Sequence, residues 1–164
     1  MEYKYKNGSK GCNNSRSNYA PRDVIDPSKY KDMDIISRAE AVIKDLPKDE
    51  QEDGGFLLKT NQIRKILAAV NSASNKVSVF KATSGSTELN NALADEIRYL
   101  QVLLVYQCGR DKQKKKQCGV DDFVKRAGLI DMIKSIGKDI RKYEEFARYM
   151  EALVAYHKFY GGKD

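Results

Sequence analysis

The sequence predicts an all-α protein, a single five-helix bundle over residues 33–164 behind a disordered basic N-terminal arm at 1–32. Three observations carry this. Apolar residues recur three and four apart along most of residues 34–160, and no segment alternates with a two-residue period for long. The 164 residues, 41% of them apolar, are enough for one buried core and too few for most multidomain enzymes. Asn, Ser, Gly, Lys and Tyr crowd residues 1–32 without any period, so that stretch has little to bury.

The elements follow in order. Ile35, Ile36, Ala39, Val42, Ile43 and Leu46 share one face of a first helix that starts at Asp34 and ends at Pro47. Residues 48–55 read as an acidic loop. Thr60 is then expected to cap a second helix carrying Ile63, Ile66, Leu67 and Val70. Ser, Asn, Thr and Gly dominate 71–87, which predicts a loop. A third helix is expected from Glu88 to Cys108, capped by Gly109. Tyr99, Val102, Leu103 and Tyr106 add to its main stripe, so its second half is apolar nearly all round and belongs at the middle of the bundle. After a basic loop containing Lys112–Lys116, Asp121 is expected to cap a fourth helix through Phe123, Val124, Ala127, Ile130 and Ile133 to Gly137. The fifth runs from about Asp139 to Tyr160 and stops at Gly161 and Gly162.

Charge narrows the class of partner. The net charge is +7, and residues 110–142 hold eleven basic against five acidic side chains. A local basic excess suits nucleic-acid phosphates, although a lysine-rich loop also serves solubility alone. The longest apolar run, Val102–Tyr106, is far too short to cross a bilayer. The N-terminus shows no apolar leader, so a cytoplasmic protein without membrane contact is expected. Cys12, Cys108 and Cys118 form no CxxC pair, which argues against a disulfide framework or a cysteine metal site.

Catalytic patterns are missing. There is no phosphate-loop, dinucleotide-binding or HExxH signature. The single histidine, His157, sits on the apolar seam of the last helix between Leu153 and Tyr160, where a buried or interface imidazole is expected rather than a catalytic base. Binding remains. Lys59 and Arg64 flank the start of the second helix, where free backbone N–H groups favour a phosphate, and Arg110 follows Gly109. Glu144, Arg148, Glu151, Ala155 and Lys158 form the narrow polar stripe of the last helix. Each of these has an ordinary structural explanation when taken alone.

Three stretches together resemble a known family: LLKTNQIRKIL at 57–67, EIRYLQVLLVYQCGRD at 96–111 and, most specific, RYMEALVAYHKFYGGKD at 148–164. From about residue 33 to the end the chain is similar to the small subunit of the type III-A CRISPR-Cas effector, the Csm complex. The resemblance implies a small helical, non-catalytic subunit without cofactor or metal, acting in antiviral defence. Several copies would stack beside the repeating backbone subunit and hold the guide RNA (crRNA) paired to its target RNA. Target cleavage would belong to the backbone subunit, and DNA cleavage and cyclic oligoadenylate synthesis to the large subunit. Carried over to this chain, the RNA-facing residues are Lys59, Arg64, Arg110, Arg148 and Lys158. Gln101 stands where the family pattern admits a basic residue and inherits no role, nor does the Lys112–Lys116 loop.

Such a subunit would contact phosphates and 2′-hydroxyls without reading bases, because guide pairing already reads the sequence. The last helix has more apolar flank than five helices readily bury. Tyr149, Tyr156 and Phe159 are therefore expected at a contact with a neighbouring copy or the backbone subunit. The alternative is a stand-alone helical nucleic-acid-binding module. It would need a recognition helix with consecutive base-reading side chains, where the fourth helix offers only Lys125 and Arg126.

Overall fold

The computed structural model describes residues 25–49, 55–113 and 119–163. Among them, a 3-10 turn Pro27–Tyr30 precedes six helices: α1 Ile35–Lys44, α2 Thr60–Ser84, α3 Asn91–Gln113, α4 Gly119–Ala127, α5 Leu129–Ile136 and α6 Ile140–Phe159. The only β pairing among the described residues is two isolated bridges, Lys48 with Phe56 and Glu88 with Asp139.

The caps explain the starts. The Asp34 carboxylate accepts from the N–H groups of Ile36 and Ser37 at 3.0 and 3.1 Å, and Asp139 does the same for Arg141 at 2.8 Å. Helix α2 begins one residue earlier than expected. Lys59 stands at its cap position, its own N–H bonded to the Gln62 side chain at 2.8 Å, and Thr60 lies inside the helix.

Helix α2 also runs through the polar stretch expected to be a loop. Val70, Ala73 and Val77 are buried at helical spacing and Phe80 packs partly beside them. The hydroxyls that lower helix propensity bond within the helix, Ser74 to the Val70 carbonyl at 3.0 Å and Ser84 to that of Phe80 at 2.7 Å. Burial of one stripe therefore outweighs the composition of the other faces, and Gly85, at φ 64°, ends the helix.

Helix α3 starts after Asn90, whose side chain accepts from the Leu93 N–H at 2.8 Å, and continues through Gly109 to Gln113 instead of stopping there. Asp111 supports the added turn by accepting from the Gln62 side chain at 2.9 Å and the Val120 N–H at 2.8 Å. Nor does the second half of α3 lie at the centre. Ala94, Ile97, Leu100, Leu104 and Cys108 are buried, while Tyr99, Val102, Val105 and Tyr106 are 67, 52, 59 and 58% exposed. The helix packs on α2, α4 and α5 with one face only.

The expected fourth helix is two helices, which makes the count six. Gly128 sits between them at φ 66°, a conformation costly for any residue with a Cβ. Helix α4 opens at Gly119, before Asp121, because its first turn lies against another backbone: a Cβ on Gly119 would stand 2.7 Å from the Leu57 carbonyl carbon. Asp121 and Asp122 instead occupy the first turn, where acids suit the helix dipole.

The end of the expected arm is ordered. Tyr30 is 2% exposed and donates to Asp45 at 2.6 Å. Residues 1–24, 50–54 and 114–118 lie outside the described residues, as therefore does most of the expected arm and of the basic loop.

Helix α2 lies between α3 and α6 and antiparallel to both. Gln62 meets Asp111 and Lys76 meets Glu96 along one side; on the other, Leu58, just before α2, meets His157 and Ser74 meets Tyr143. Helix α1 packs on α6 and α4. One end of the bundle thus gathers the start of α2, the last turn of α3, the first turn of α4 and the last turn of α6.

Candidate nucleic-acid interface

At that end the segment 56–60 is clamped between two helices. On one side Gly119 brings α4 against the Leu57–Leu58 backbone. On the other, the buried His157 ring lies with Nε2 2.8 Å from the Leu58 carbonyl oxygen and 5.1 Å, centroid to centroid, from the Phe56 ring. A carbonyl can only accept, so Nε2 carries the hydrogen. Burial lowers the imidazole pKa, assisted by the charges of Lys158 and Lys48 and opposed by the Leu58 bond, so the neutral form is favoured. Nδ1 has no protein partner. Gly162 covers it so closely that a Cβ there would stand 2.2 Å from Nδ1.

The chain's last residues complete the clamp. The Gly162 N–H bonds the His157 carbonyl, and the Lys163 carbonyl accepts from the Thr60 N–H, both at 2.8 Å. A free donor of the α2 N-terminus is thereby used by the protein itself. That reduces what the α2 start can offer a phosphate through its backbone and leaves side chains as the main contact.

Each expected RNA-facing residue can now be placed. Lys59 is half-buried, and its ammonium lies 3.3 Å from the buried Asp49 carboxylate. Arg64 is exposed one turn further along α2. Arg110, partly exposed, lies in the last turn of α3 with its guanidinium 5.8 Å from the Tyr106 ring centroid. Lys158 is exposed next to His157 in the last turn of α6. Lys59, Arg110 and Lys158 thus each adjoin a residue of the clamp, with Arg64 close behind. Arg148, exposed, stands about 15 Å up α6 from Lys158 at the helical rise, away from this end. Lys48 and Lys163, also exposed, add cations at the same end that the sequence patterns do not single out.

The aromatic residues part company. Tyr149 is fully buried and donates to the Ala127 carbonyl at 3.2 Å, beneath the Arg38 guanidinium 5.1 Å from its ring. Burial pushes its phenol pKa up to about 12. Its place at an intermolecular contact is therefore corrected: the ring faces the chain's own core because Ala127, at the α4–α5 break, offers the carbonyl its hydroxyl needs. Tyr156 is half-buried and stacks on Tyr160, which bonds Glu40 of α1. Phe159 is 77% exposed.

Gln62, Asp111, Gly119 and Gly162, which hold this end together, carry no chemical signature in the sequence. Gln62, Asp111 and Gly162 fall inside the three resembling stretches, and Gly119 lies outside them. No group of three or more His, Cys, Asp or Glu side chains among the described residues could hold a metal ion. No helix of the described residues is long and apolar enough to cross a membrane.

A family model described as Csm2 Type III-A matches residues 33–163. A Streptococcus thermophilus protein named CRISPR system Cms protein Csm2 is 38% identical over 133 residues, 81% of this chain and 96% of the relative. A Mycobacterium tuberculosis protein of the same name is 34% identical over 131 residues, covering 80% and 94%. Another from Enterococcus italicus is 32% identical over 107 residues, covering 63% and 68%.

Proposed function

Because the chain belongs to the Csm2 type III-A family, the small subunit of the Csm complex, we propose that it is a non-catalytic RNA-binding subunit of that effector, stacking in several copies along the guide–target RNA duplex. The backbone and large subunits of the complex are its protein partners, and antiviral defence in the cytoplasm is its setting. The observation that carries the proposal is the gathering of cations at one end of the bundle. Lys59 at the cap of α2, Arg64 in α2, Arg110 in α3 and Lys158 in α6 stand at one end of three adjoining helices held together by His157, Asp111 and the C-terminal residues. Rigid elements hold the charges at fixed spacing, as recognition of a duplex backbone requires. Arg148, about 15 Å from Lys158 along α6, would meet the RNA apart from this end.

Side chains of this kind engage phosphates and ribose hydroxyls without distinguishing bases, so binding is sequence-independent and strongly salt-dependent. Phe159, with Tyr156 behind it, is the exposed apolar point of α6 for a neighbouring subunit. The double variant Arg64→Ala/Arg110→Ala tests the assignment. Neither side chain is part of the core, so the circular dichroism of the variant should match that of the wild type. Capture of target RNA by the assembled complex should weaken, and the slope of log affinity against log salt should fall by about 0.7–0.9 for each phosphate no longer neutralised. Unchanged affinity, slope and target cleavage would remove both residues from the interface.

A further inference from the structure

The basic excess at residues 110–142 enters the proposed function only through Arg110. Residues 134–142 alone hold four basic side chains against one acid, and the fold carries them to the end of the bundle opposite the clamp, where α2 stops and α3 and α6 start. There the Leu89 N–H bonds the Lys138 carbonyl at 2.8 Å and the Ile140 N–H that of Thr87 at 3.4 Å. Gly137, at φ 55°, turns the chain from α5 into α6, and a Cβ on it would meet nothing within 4 Å. The space beside it is a cleft of about 370 Å³ bordered by Lys138, Arg141 and Lys142. A smaller one of about 200 Å³, bordered by Arg98 and Lys134, adjoins it at Gly137.

The protein itself engages these cations weakly. Lys138 is exposed, and Lys142 reaches the Ser135 carbonyl at 3.3 Å. Arg141, its side chain 87% exposed, stands 3.9 Å from Asp139, whose carboxylate accepts from the first N–H groups of α6. Arg98 and Lys134 face exposed acids at 4.0 and 3.8 Å, pairs of a kind that contributes little. Five cations against Glu88 and Asp139 leave the lining of the two clefts a net charge of +3. Arg148 adjoins this group: seven residues on from Arg141, it lies within about 20° of the same line of α6 and about 10 Å along it.

We propose that the joined clefts are a second phosphate-binding groove, which takes the RNA backbone about 25 Å along α6 from Lys158, so that each copy grips the RNA at two separate points. The identity of the nucleic acid rests on the proposed function. Cations from three elements converge on the groove, as a sugar–phosphate backbone requires. A protein segment fits it less well, because the larger cleft has no exposed apolar side chain on its border to anchor one. One grip leaves a copy free to swing about it; two set the angle of the bundle to the RNA axis, which regular stacking of identical copies needs.

Target RNA binding by the assembled complex, measured against salt with Lys138→Ala/Arg141→Ala in this chain, tests the groove. The variant should keep its helical content and its copy number in the complex, and should weaken capture of every target sequence alike. The slope of log affinity against log salt should fall by about 0.7–0.9 for each phosphate no longer neutralised. Combined with Arg64→Ala/Arg110→Ala, the two fold-losses should multiply, because the sites are far apart. Lys138→Arg/Arg141→Lys, which keeps both charges, should restore binding. Affinity and slope unchanged in the groove variant while the Arg64→Ala/Arg110→Ala pair weakens capture would overturn the groove and leave the proposed function standing; no change in either would overturn both. A complex that loses copies of the chain would give this surface to another subunit, and a charge-keeping variant as weak as the alanine one would remove phosphate as its ligand.

Discussion

Gly162 and His157 show how single residues set the geometry of the charged end. The imidazole occupies the space a Cβ would need at position 162, and its Nε2–H holds the Leu58 carbonyl. Gly162→Ala should therefore cost about 1–3 kcal/mol in chemical denaturation, the usual range for forcing atoms into a packed site. Stability equal to the wild type would mean the tail is not held as described. The same imidazole makes stability pH-dependent. Its folded pKa lies below the unfolded value of about 6.5, so the unfolded chain binds the extra proton first. The stabilisation is complete above that unfolded value and is lost as pH falls through the depressed folded one. Urea unfolding of the wild type and His157→Gln across this range should show a weaker acid dependence in the variant. Identical slopes would sink the assignment.

At the scale of elements, the second half of α2 and the break at Gly128 test the packing. Val77 is 2% exposed while its neighbour Ser78 is exposed. Val77→Asp buries a charge with no partner and should cost several kcal/mol, whereas Ser78→Asp should change stability by less than about 0.5 kcal/mol. A loop at 71–84 would make the two equal. Gly128 takes a positive φ, and a Cβ there would stand 2.9 Å from the Arg38 guanidinium that bonds the Ala127 carbonyl. Gly128→Ala should destabilise by about 1–2 kcal/mol. If it stabilises instead, α4 and α5 form one continuous helix.

These two elements also mark how much was legible in the sequence. Helices with a strong apolar stripe and an aspartate cap, α1 and α6, were readable nearly to their ends. The second half of α2 was not, because a narrow stripe of Val70, Ala73 and Val77 is diluted by Ser, Asn and Lys on faces that need no apolar residues. Gly109 and Gly128 look alike in sequence. Only their surroundings distinguish them: Asp111 and its partners carry α3 past the first, and Arg38 with Tyr149 fixes the turn at the second. Of the residues that the resemblance carries over, Lys59, Arg110 and Lys158 lie beside the clamp, a gathering that only the folded chain brings about. Tyr149 was misplaced because helical spacing cannot tell which of two apolar flanks meets the chain's own α4.

For the whole molecule, the arrangement separates stability from contact. The core fixes one end of the bundle through bonds among α2, α3, α4, α6 and the last residues, and the cations there stand on its rim. Different faces carry the unlike apolar exposures, Phe159 on α6 and the tyrosine stripe on α3. Such a molecule suits repeated placement along a charged polymer, and the proposed function identifies that polymer as the RNA of the Csm complex. Affinity-tagging this chain, expressing it with its neighbouring genes and analysing what co-purifies tests the claim most directly. The account predicts a ribonucleoprotein that contains a guide RNA and several copies of the 18.6 kDa chain. Recovery of the chain free of RNA and of other subunits at low salt would contradict it.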